Sequence, residues 1–152
     1  MEKHDNGQLD SFDLKMLDEL EQEGRLSVTE LASRVGLSKT PCQVRFKRLI
    51  ESGVIRGFRA VLNHTLLHRD HVAFTEVKLE ITNDEALNAF NQAVADIRAI
   101  ESCHMIAGQF DYLLKVRTKD IAEYRRVMGE EISTLPYVRS TSTYVVLESV
   151  KE

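Results

Sequence analysis

Residues 27–52 of this chain read SVTELASRVGLSKTPCQVRFKRLIES, and this stretch decides the fold of the N-terminal part. Ser27 and the glutamate three residues later form a capping-box pattern, in which each side chain bonds to a free amide at the start of a helix. Gly36 supplies the left-handed residue that ends this short helix. Ser38 then caps a longer helix, and Pro41 lies in its first turn, where a missing N–H is tolerated. Two helices joined by a tight glycine turn are typical of a helix-turn-helix.

The flanking residues complete this N-terminal unit. Apolar residues at helical spacing over residues 9–24 predict a first helix. Gly53 ends the long helix, and the alternation over residues 55–62 predicts a strand or small wing. The first eight residues are polar and predict a disordered tail. We therefore expect a winged helix-turn-helix domain over residues 9–62.

The charge along the chain is uneven. The formal net charge is -4, yet residues 38–62 hold six basic residues and one acid. A local basic stripe is what binding to DNA phosphates requires, whatever the total charge. The start of a recognition helix reaches base edges, and basic residues beside it hold the DNA backbone. The candidate base contacts are Ser38, Lys39, Thr40, Gln43 and Val44. The candidate phosphate contacts are Lys47, Arg48, Arg56 and Arg59. The alternative is a plain three-helix unit whose basic face is only solvated.

The pattern changes in the second half of the chain. Residues 63–70 predict a linker, and residues 71–152 predict strands that alternate with amphipathic helices. The predicted strands cover residues 71–81, 99–107, 110–117 and 137–150, and the predicted helices cover residues 83–97 and 120–135. The order β-α-β-β-α-β with right-handed crossovers places both helices on one face of a four-stranded antiparallel sheet. The expected fold class is therefore α+β, with a ferredoxin-like second domain.

The predicted sheet has one face without helices. Such a face must be covered by something, and the last strand is apolar on both sides around Tyr144–Leu147. We expect a second copy of the chain to cover it, with the two sheets stacked. A two-fold dimer would then present two reading helices to a pseudo-palindromic DNA site.

The composition argues against several other classes of protein. The two cysteines, Cys42 and Cys103, fall in different predicted domains without metal-ligand spacing, which indicates neither a disulfide nor a metal site and favours a reducing, cytoplasmic setting. The polar start is unlike a signal peptide, and no apolar run approaches the length of a membrane span. An enzyme with His104 and Asp111 as acid and base is the alternative, but no triad, phosphate-binding loop or metal cluster supports it. We expect no enzymatic activity and no cofactor.

Asp111 follows the predicted turn at Gly108 and begins a strand. A carboxylate in this place can accept hydrogen bonds from the ammonium group of an amino acid. It can equally cap the turn or pair with backbone amides, which is the commoner role of aspartate at turns. The residues alone leave both roles open.

The run LDSFDLKMLDELEQEGRLSVTELASRVGLSKTPCQVRFKRLIESGVIRGFRAVLN resembles the leucine-responsive and asparagine-responsive (Lrp/AsnC) regulators. The resemblance continues through GQFDYLLKVRTKD, AEYRRVMGEEISTLP and STSTYVVLESVKE, and so covers nearly the whole chain. Within the family, the chain is similar to activators of proline catabolism. The resemblance implies a winged helix-turn-helix joined by a hinge strand to a ligand-sensing domain. It also implies assembly of dimers into tetramers or octamers, with an amino acid held between neighbouring dimers.

The resemblance further implies a set of effector contacts. By motif these are His104, Met105, Ile106, Ala107, Gly108, Asp111, Ser133, Thr134, Thr141, Ser142, Thr143 and Tyr144. His104 and Met105 occupy positions that vary with ligand choice in the family, so the identity of the effector stays open. The expected function is a sequence-specific transcription regulator that responds to an amino acid. The alternative is a DNA-architectural protein of the same fold that needs no ligand.

Overall fold

A computed structural model describes residues 9–151, so the predicted tail lies outside the described residues. Contacts between Cα atoms divide the chain into two compact units, with the division between Val61 and Leu62. Within the described residues, the first unit holds three helices, and the second holds a four-stranded sheet with two helices. None of the described helices is long and apolar enough to cross a membrane.

The first unit contains the predicted helix-turn-helix. Its helices are α1 (Ser11–Gln22), α2 (Val28–Val35) and α3 (Lys39–Glu51). The capping box of α2 is confirmed, because the Glu30 amide donates to Ser27 Oγ at 3.2 Å and the Ser27 amide donates to Glu30 Oε2 at 2.9 Å. Gly36 adopts the left-handed conformation, with φ of 76°, as the turn requires. Ser38 occupies the N-cap position of α3, but the prediction of a cap bond is wrong, since its side chain makes none.

The buried side of α3 is centred on Cys42 and Leu49, which pack against α1 and α2. The sequence pattern predicts a buried side centred on Phe46 with Cys42, Leu49 and Ile50 beside it, but Phe46 is half-buried and Ile50 is 43% exposed. At 100° per residue the buried side is therefore rotated by about 50° from the predicted one. Helical periodicity gives the angles between side chains but not the roll of the helix, which the neighbouring helices set. Cys42 is fully buried, as predicted for a core residue, and burial raises the pKa of its thiol.

One of the two forms predicted for residues 55–62, a strand, is wrong. Within the part of the chain that the structure describes, no strand covers these residues. Phe58 instead lies against Gly24 and 6.2 Å from the ring of Phe46, measured between ring centroids. Val61 and Leu62 remain exposed. The alternating pattern is present, but a strand also needs a partner strand, and this unit supplies none among its described residues.

The second unit has the predicted β-α-β-β-α-β order. The elements are β1 (His71–Leu79), α4 (Asp84–Ala95), β2 (Ile100–Met105), β3 (Tyr112–Thr118), α5 (Ile121–Val127) and β4 (Val138–Val145). The strands pair antiparallel in the order β2-β3-β1-β4. The helix that begins at Ile121 continues as a π-helical turn over Met128–Ile132. The last strand is shorter than predicted and ends at Val145, although the Val146 amide still donates to the Val72 carbonyl at 2.9 Å.

The sheet has one face packed against the helices and one face without them. Ala73, Val77 and Leu114 are buried against the helices with Phe90 of α4 and Val127 of α5. The side chains that alternate with them point to the other face. There the register brings Phe74 opposite both Lys115 and Tyr144, and Tyr144 is exposed. The predicted open face is present in the chain.

The predicted linker is a hydrogen-bonded turn at the start of the second unit. The Leu67 amide donates to the Asn63 carbonyl at 3.3 Å, and the Leu66 amide donates to Asn63 Oδ1 at 3.1 Å. The Arg69 amide donates to the His64 carbonyl at 2.9 Å. This segment therefore belongs with the sheet rather than spanning freely between the two units.

Candidate functional site

The candidate base contacts lie together at the N-terminal half of α3. Ser38, Lys39, Thr40, Gln43 and Val44 are all exposed. At 100° per residue, Thr40 and Glu51 point most directly away from the buried side, and Val44 and Lys47 lie about 30° to either side of that direction. Lys47 is exposed and its Nζ lies 3.5 Å from Glu51 Oε1, a weak contact that DNA phosphate can replace. The structure therefore presents a continuous polar and basic surface of the kind that enters a DNA groove.

Arg48 differs from the other candidate phosphate contacts. Its Nη2 donates to Asp13 Oδ2 at 2.6 Å, and Nη1 of Arg45, one turn earlier, donates to Asp13 Oδ1 at 2.9 Å. Arg45 Nη1 also donates to Asp10 Oδ2 at 2.6 Å. Arg56 and Arg59, by contrast, are exposed and form no ion pair with any residue of the described chain. Of the predicted phosphate contacts, Arg48 is thus held by a carboxylate of the chain, whereas Arg56 and Arg59 are not.

Asp13 is the buried member of this cluster. Its side chain is 1% exposed, and it forms a capping box at the start of α1 with Asp10, whose amide donates to Asp13 Oδ2 at 3.1 Å. Burial raises the pKa of Asp13, but hydrogen bonds from the Asp10 amide, Arg45 and Arg48 outweigh burial and lower the pKa below its ordinary value. The carboxylate is therefore ionised and holds both guanidinium groups to α1.

In the second unit, Asp111 has the backbone role that the sequence left open. Its Oδ2 accepts a hydrogen bond from the Leu79 amide at 2.7 Å. Its own amide donates to the Val77 carbonyl at 2.9 Å, and its carbonyl accepts from the Ile106 amide at 2.8 Å. Asp111 closes the β2–β3 turn and extends the bonding of β3 to β1 by one residue beyond the Val77–Tyr112 pair.

Several candidate effector residues share this end of the sheet. His104 and Met105 are exposed at the end of β2, and Ile106, Ala107 and Gly108 form the turn. Leu79, which bonds to Asp111, lies opposite Val138 at the start of β4. Ser133 and Thr134 are exposed and precede β4, and Thr134 Oγ1 donates to the Glu130 and Glu131 carbonyls at 3.0 Å.

The candidate residues of β4 do not lie on one surface. Thr143 faces the helices, where its Oγ1 lies 2.6 Å from the Tyr124 hydroxyl oxygen, which in turn lies 2.9 Å from Thr75 Oγ1. Ser142 and Tyr144 point to the open face, because side chains alternate along a strand. Thr141 shares the helix-facing side with Thr143. A ligand held against one surface of this unit therefore meets either Thr141 and Thr143 or Ser142 and Tyr144, and a role for all four in effector binding stays a prediction.

Sequence reasoning missed Asp13, Arg45 and Tyr124. Asp13 had a local signal, since Asp10 and Asp13 stand at capping-box spacing before an apolar run. That signal predicts the cap but not the two guanidinium groups, which come from residues 32 and 35 positions later. Helical spacing over residues 120–135 predicts that Tyr124 points inward, but nothing in the sequence identifies the two hydroxyl groups that its own hydroxyl contacts.

Comparison with known proteins matches both units to families. Residues 72–152 match the family model of the Lrp/AsnC ligand binding domain, and residues 9–56 match that of a winged helix-turn-helix DNA-binding domain. The chain is 62% identical over 149 residues to a proline dehydrogenase transcriptional activator of Rhizobium radiobacter, covering 98% of this chain and 96% of that protein. It is 45% identical over 152 residues to the leucine-responsive regulatory protein of Haemophilus influenzae, covering 100% and 92%.

The fold is also found among solved structures. A transcriptional regulator from Neisseria meningitidis, solved as a complex with L-Met, superposes with a TM-score of 0.90 at 29% sequence identity. The match covers 95% of this chain and 94% of that one.

Proposed function

The chain belongs to the Lrp/AsnC family of transcription regulators, and we propose that it activates transcription of a proline dehydrogenase gene in response to an amino acid. The observation that carries this proposal is the 62% identity, over nearly the full length of both chains, to a protein named for that activity. The exposed surface of α3 supports the DNA-binding part of the proposal. The matched relatives named above are bacterial, so the proposed place of action is the cytoplasm.

DNA contact is assigned to α3 and the segment after it. Gln43 can form paired hydrogen bonds with adenine, and Val44 or the Thr40 methyl group can pack on a thymine methyl group. Ser38 and Lys39 lie at the helix start beside them. Lys47, Arg56 and Arg59 are the proposed phosphate contacts, because they are exposed and not held by a buried carboxylate. Arg48, predicted for the same role, is held by Asp13.

The active form is proposed to be at least a dimer. The open face of the sheet exposes Tyr144 beside Phe74, and the described part of the second unit offers nothing to cover it. Two sheets stacked across a two-fold axis would cover this face and place two copies of α3 on one pseudo-palindromic DNA site. From the family resemblance, we infer that such dimers assemble further into tetramers or octamers.

The proposed effector site lies at the β2–β3 turn. The solved relative that binds L-Met supports an amino acid as the class of ligand. His104 to Gly108, Asp111, Ser133 and Thr134 lie at this end of the sheet and are the proposed contacts from one chain. Thr141 and Thr143 on one side, and Ser142 and Tyr144 on the other, would reach a ligand only from different surfaces. Proline is the first candidate, because the relative is named for proline dehydrogenase.

The test is a calorimetric screen of amino acids against the full chain, followed by DNA binding with and without each ligand. We expect proline to bind and to change the affinity for a proline dehydrogenase promoter fragment. If no amino acid binds, the sensing role fails, and a ligand-independent architectural role takes its place. If the wild-type chain binds promoter and scrambled DNA equally, the sequence-specific role fails.

Base reading is tested separately with Gln43→Ala. This variant should change the preferred base at one position of the promoter site, at a cost of about 1–3 kcal/mol for the original base. Equal weakening on every sequence would contradict direct reading by Gln43. The measurement is competition binding with single-base variants of the site.

A further inference from the structure

The contact between the first turn of α1 and one side of α3 has no counterpart elsewhere in the described part of the first unit. Arg34 of α2 also binds two carboxylates, but all three side chains are partly exposed. The exposed fractions are 43% for Arg34, 32% for Glu19 and 54% for Glu23. Asp13 is 1% exposed and binds two guanidinium groups, one with each oxygen. The two clusters thus have opposite arrangements: one cation shared by exposed acids, and one buried acid shared by two cations.

We propose that Asp13 is a positioning residue for DNA recognition, which fixes the roll of α3 through Arg45 and Arg48 and keeps both guanidinium groups away from DNA phosphates. The proposal rests on DNA binding through α3. It goes beyond that binding because it assigns a role to an acidic residue that DNA itself would repel. It also removes Arg48 from the phosphate contacts.

The position of Asp13 is itself fixed. Its amide donates to Asp10 Oδ1 at 3.0 Å and its Oδ2 accepts from the Asp10 amide at 3.1 Å, so the capping box holds the carboxylate at the start of α1. A buried carboxylate needs compensating partners, since water is excluded from it. Any rotation of α3 that carries the guanidinium groups away would leave this charge unpaired.

The two arginines lie on one side of α3. Residues three apart on a helix are neighbours on its surface, so Arg45 and Arg48 meet the same carboxylate. With this side turned to α1, and with Cys42 and Leu49 turned to the core, the outward direction is set by two independent contacts. Apolar packing alone permits small rotations of a helix. Hydrogen bonds from Arg48 at 2.6 Å and from Arg45 at 2.9 Å to one fixed carboxylate resist such rotations. Lys47 and Val44 are thereby directed outward.

The two arginines are held unequally. Arg45 contacts both Asp10 and Asp13, lies 5.6 Å above the ring centroid of Phe12, and is 26% exposed. Arg48 has one carboxylate partner and is 52% exposed. If Asp13 loses its charge, Arg48 is the first guanidinium group that becomes able to bind a phosphate. The local excess of basic residues around α3 therefore overstates the number of cations that meet DNA.

The experiment compares full-length wild type with Asp13→Asn on promoter and scrambled duplexes, titrated between about 50 and 200 mM salt. We expect the variant to bind DNA with a steeper salt dependence, by about one to two units of slope per protomer, because the freed guanidinium groups contact phosphates. We expect the ratio of promoter to scrambled affinity to fall about tenfold, the size of one lost base contact. Arg34→Gln, which breaks the exposed cluster between α1 and α2, is the matched control and should change neither quantity.

The outcomes separate this proposal from the proposed function. A folded Asp13→Asn with unchanged slope and unchanged ratio overturns the positioning role and leaves DNA binding intact. Failure of the wild type to discriminate the promoter overturns the proposed function instead.

A second variant covers the case in which Asp13→Asn does not fold. Arg48→Gln should leave the salt slope unchanged, because Arg48 binds Asp13 rather than phosphate. Lys47→Ala, measured beside it, should reduce the slope by about one unit. A slope reduced equally in both variants overturns the proposal, since Arg48 would then be a phosphate contact.

Discussion

The two units of this chain tie their layers together with different chemistry. In the first, α1 and α3 are joined by a buried carboxylate and two guanidinium groups around Asp13. In the second, α5 is joined to the sheet by three hydroxyl groups, those of Thr75, Tyr124 and Thr143. A charged contact responds to pH and to other anions, of which DNA phosphate is one. A neutral hydroxyl relay responds to neither. Of the two contacts between layers, the one that charge can disturb therefore lies in the unit that meets DNA.

The largest expected effect comes from removing the charged contact. Asp13→Ala removes the buried carboxylate that binds Arg45 and Arg48 together with half of a capping box, so it should destabilise the first unit by about 2–4 kcal/mol. The measurement is urea unfolding of the full chain, monitored with a separate signal from each unit. Arg34→Ala is the control and should cost at most about 1 kcal/mol, because its partners are exposed. Similar losses from both variants would remove the distinction between buried and exposed charge.

Acid should weaken the first unit through the same contact. The pKa of Asp13 is lowered in the folded chain, so the stability that it contributes is present above the ordinary carboxyl pKa and is lost as pH falls through the lowered value. Thermal unfolding between about pH 6 and about pH 2 should show this loss in the wild type and a smaller one in Asp13→Asn. Parallel pH curves for the two proteins would show that other carboxylates dominate the acid response.

Asp111 offers an intermediate case, because it is a carboxylate bonded to a backbone amide. Asp111→Ala leaves the Leu79 amide without its partner and should cost about 1–3 kcal/mol. Asp111→Asn keeps an oxygen for that amide but loses the charge. If the charge binds the effector, the asparagine variant should keep its stability and lose the amino-acid response. A variant that keeps both would remove Asp111 from the proposed effector site.

The smallest effect is expected from the neutral relay. Tyr124→Phe removes the hydroxyl that contacts Thr75 and Thr143, at a cost of about 1–2 kcal/mol, and this cost should not depend on pH or salt. Unfolding at two salt concentrations measures it. A salt-dependent cost would show that the two units do not differ as described.

The sequence predicted the features that depend on near neighbours. The capping box at Ser27, the left-handed Gly36 and the order of strands and helices all follow from spacings of a few residues. The roll of α3 did not follow, because it depends on α1, more than 30 residues earlier. Strand alternation alone predicts that Thr143 and Tyr144 point to opposite faces of the sheet, whereas the family motif gives both as effector contacts. The residues near Phe58 have the alternating pattern of a strand, but no strand forms there because the described chain offers no partner strand.

The π-helical turn over Met128–Ile132 lies directly before two proposed effector contacts, Ser133 and Thr134, and affects where they lie. The Ser133 amide donates to the Met128 carbonyl at 2.9 Å, five residues back, where an α-helix would bond four residues back. The turn thus accommodates one additional residue before Ser133 and Thr134. Deleting one residue of the turn would remove this additional residue and restore four-residue bonding, with Ser133 and Thr134 kept close to their present direction. The turn therefore lets the helix vary in length by one residue while these two hydroxyl groups keep their place.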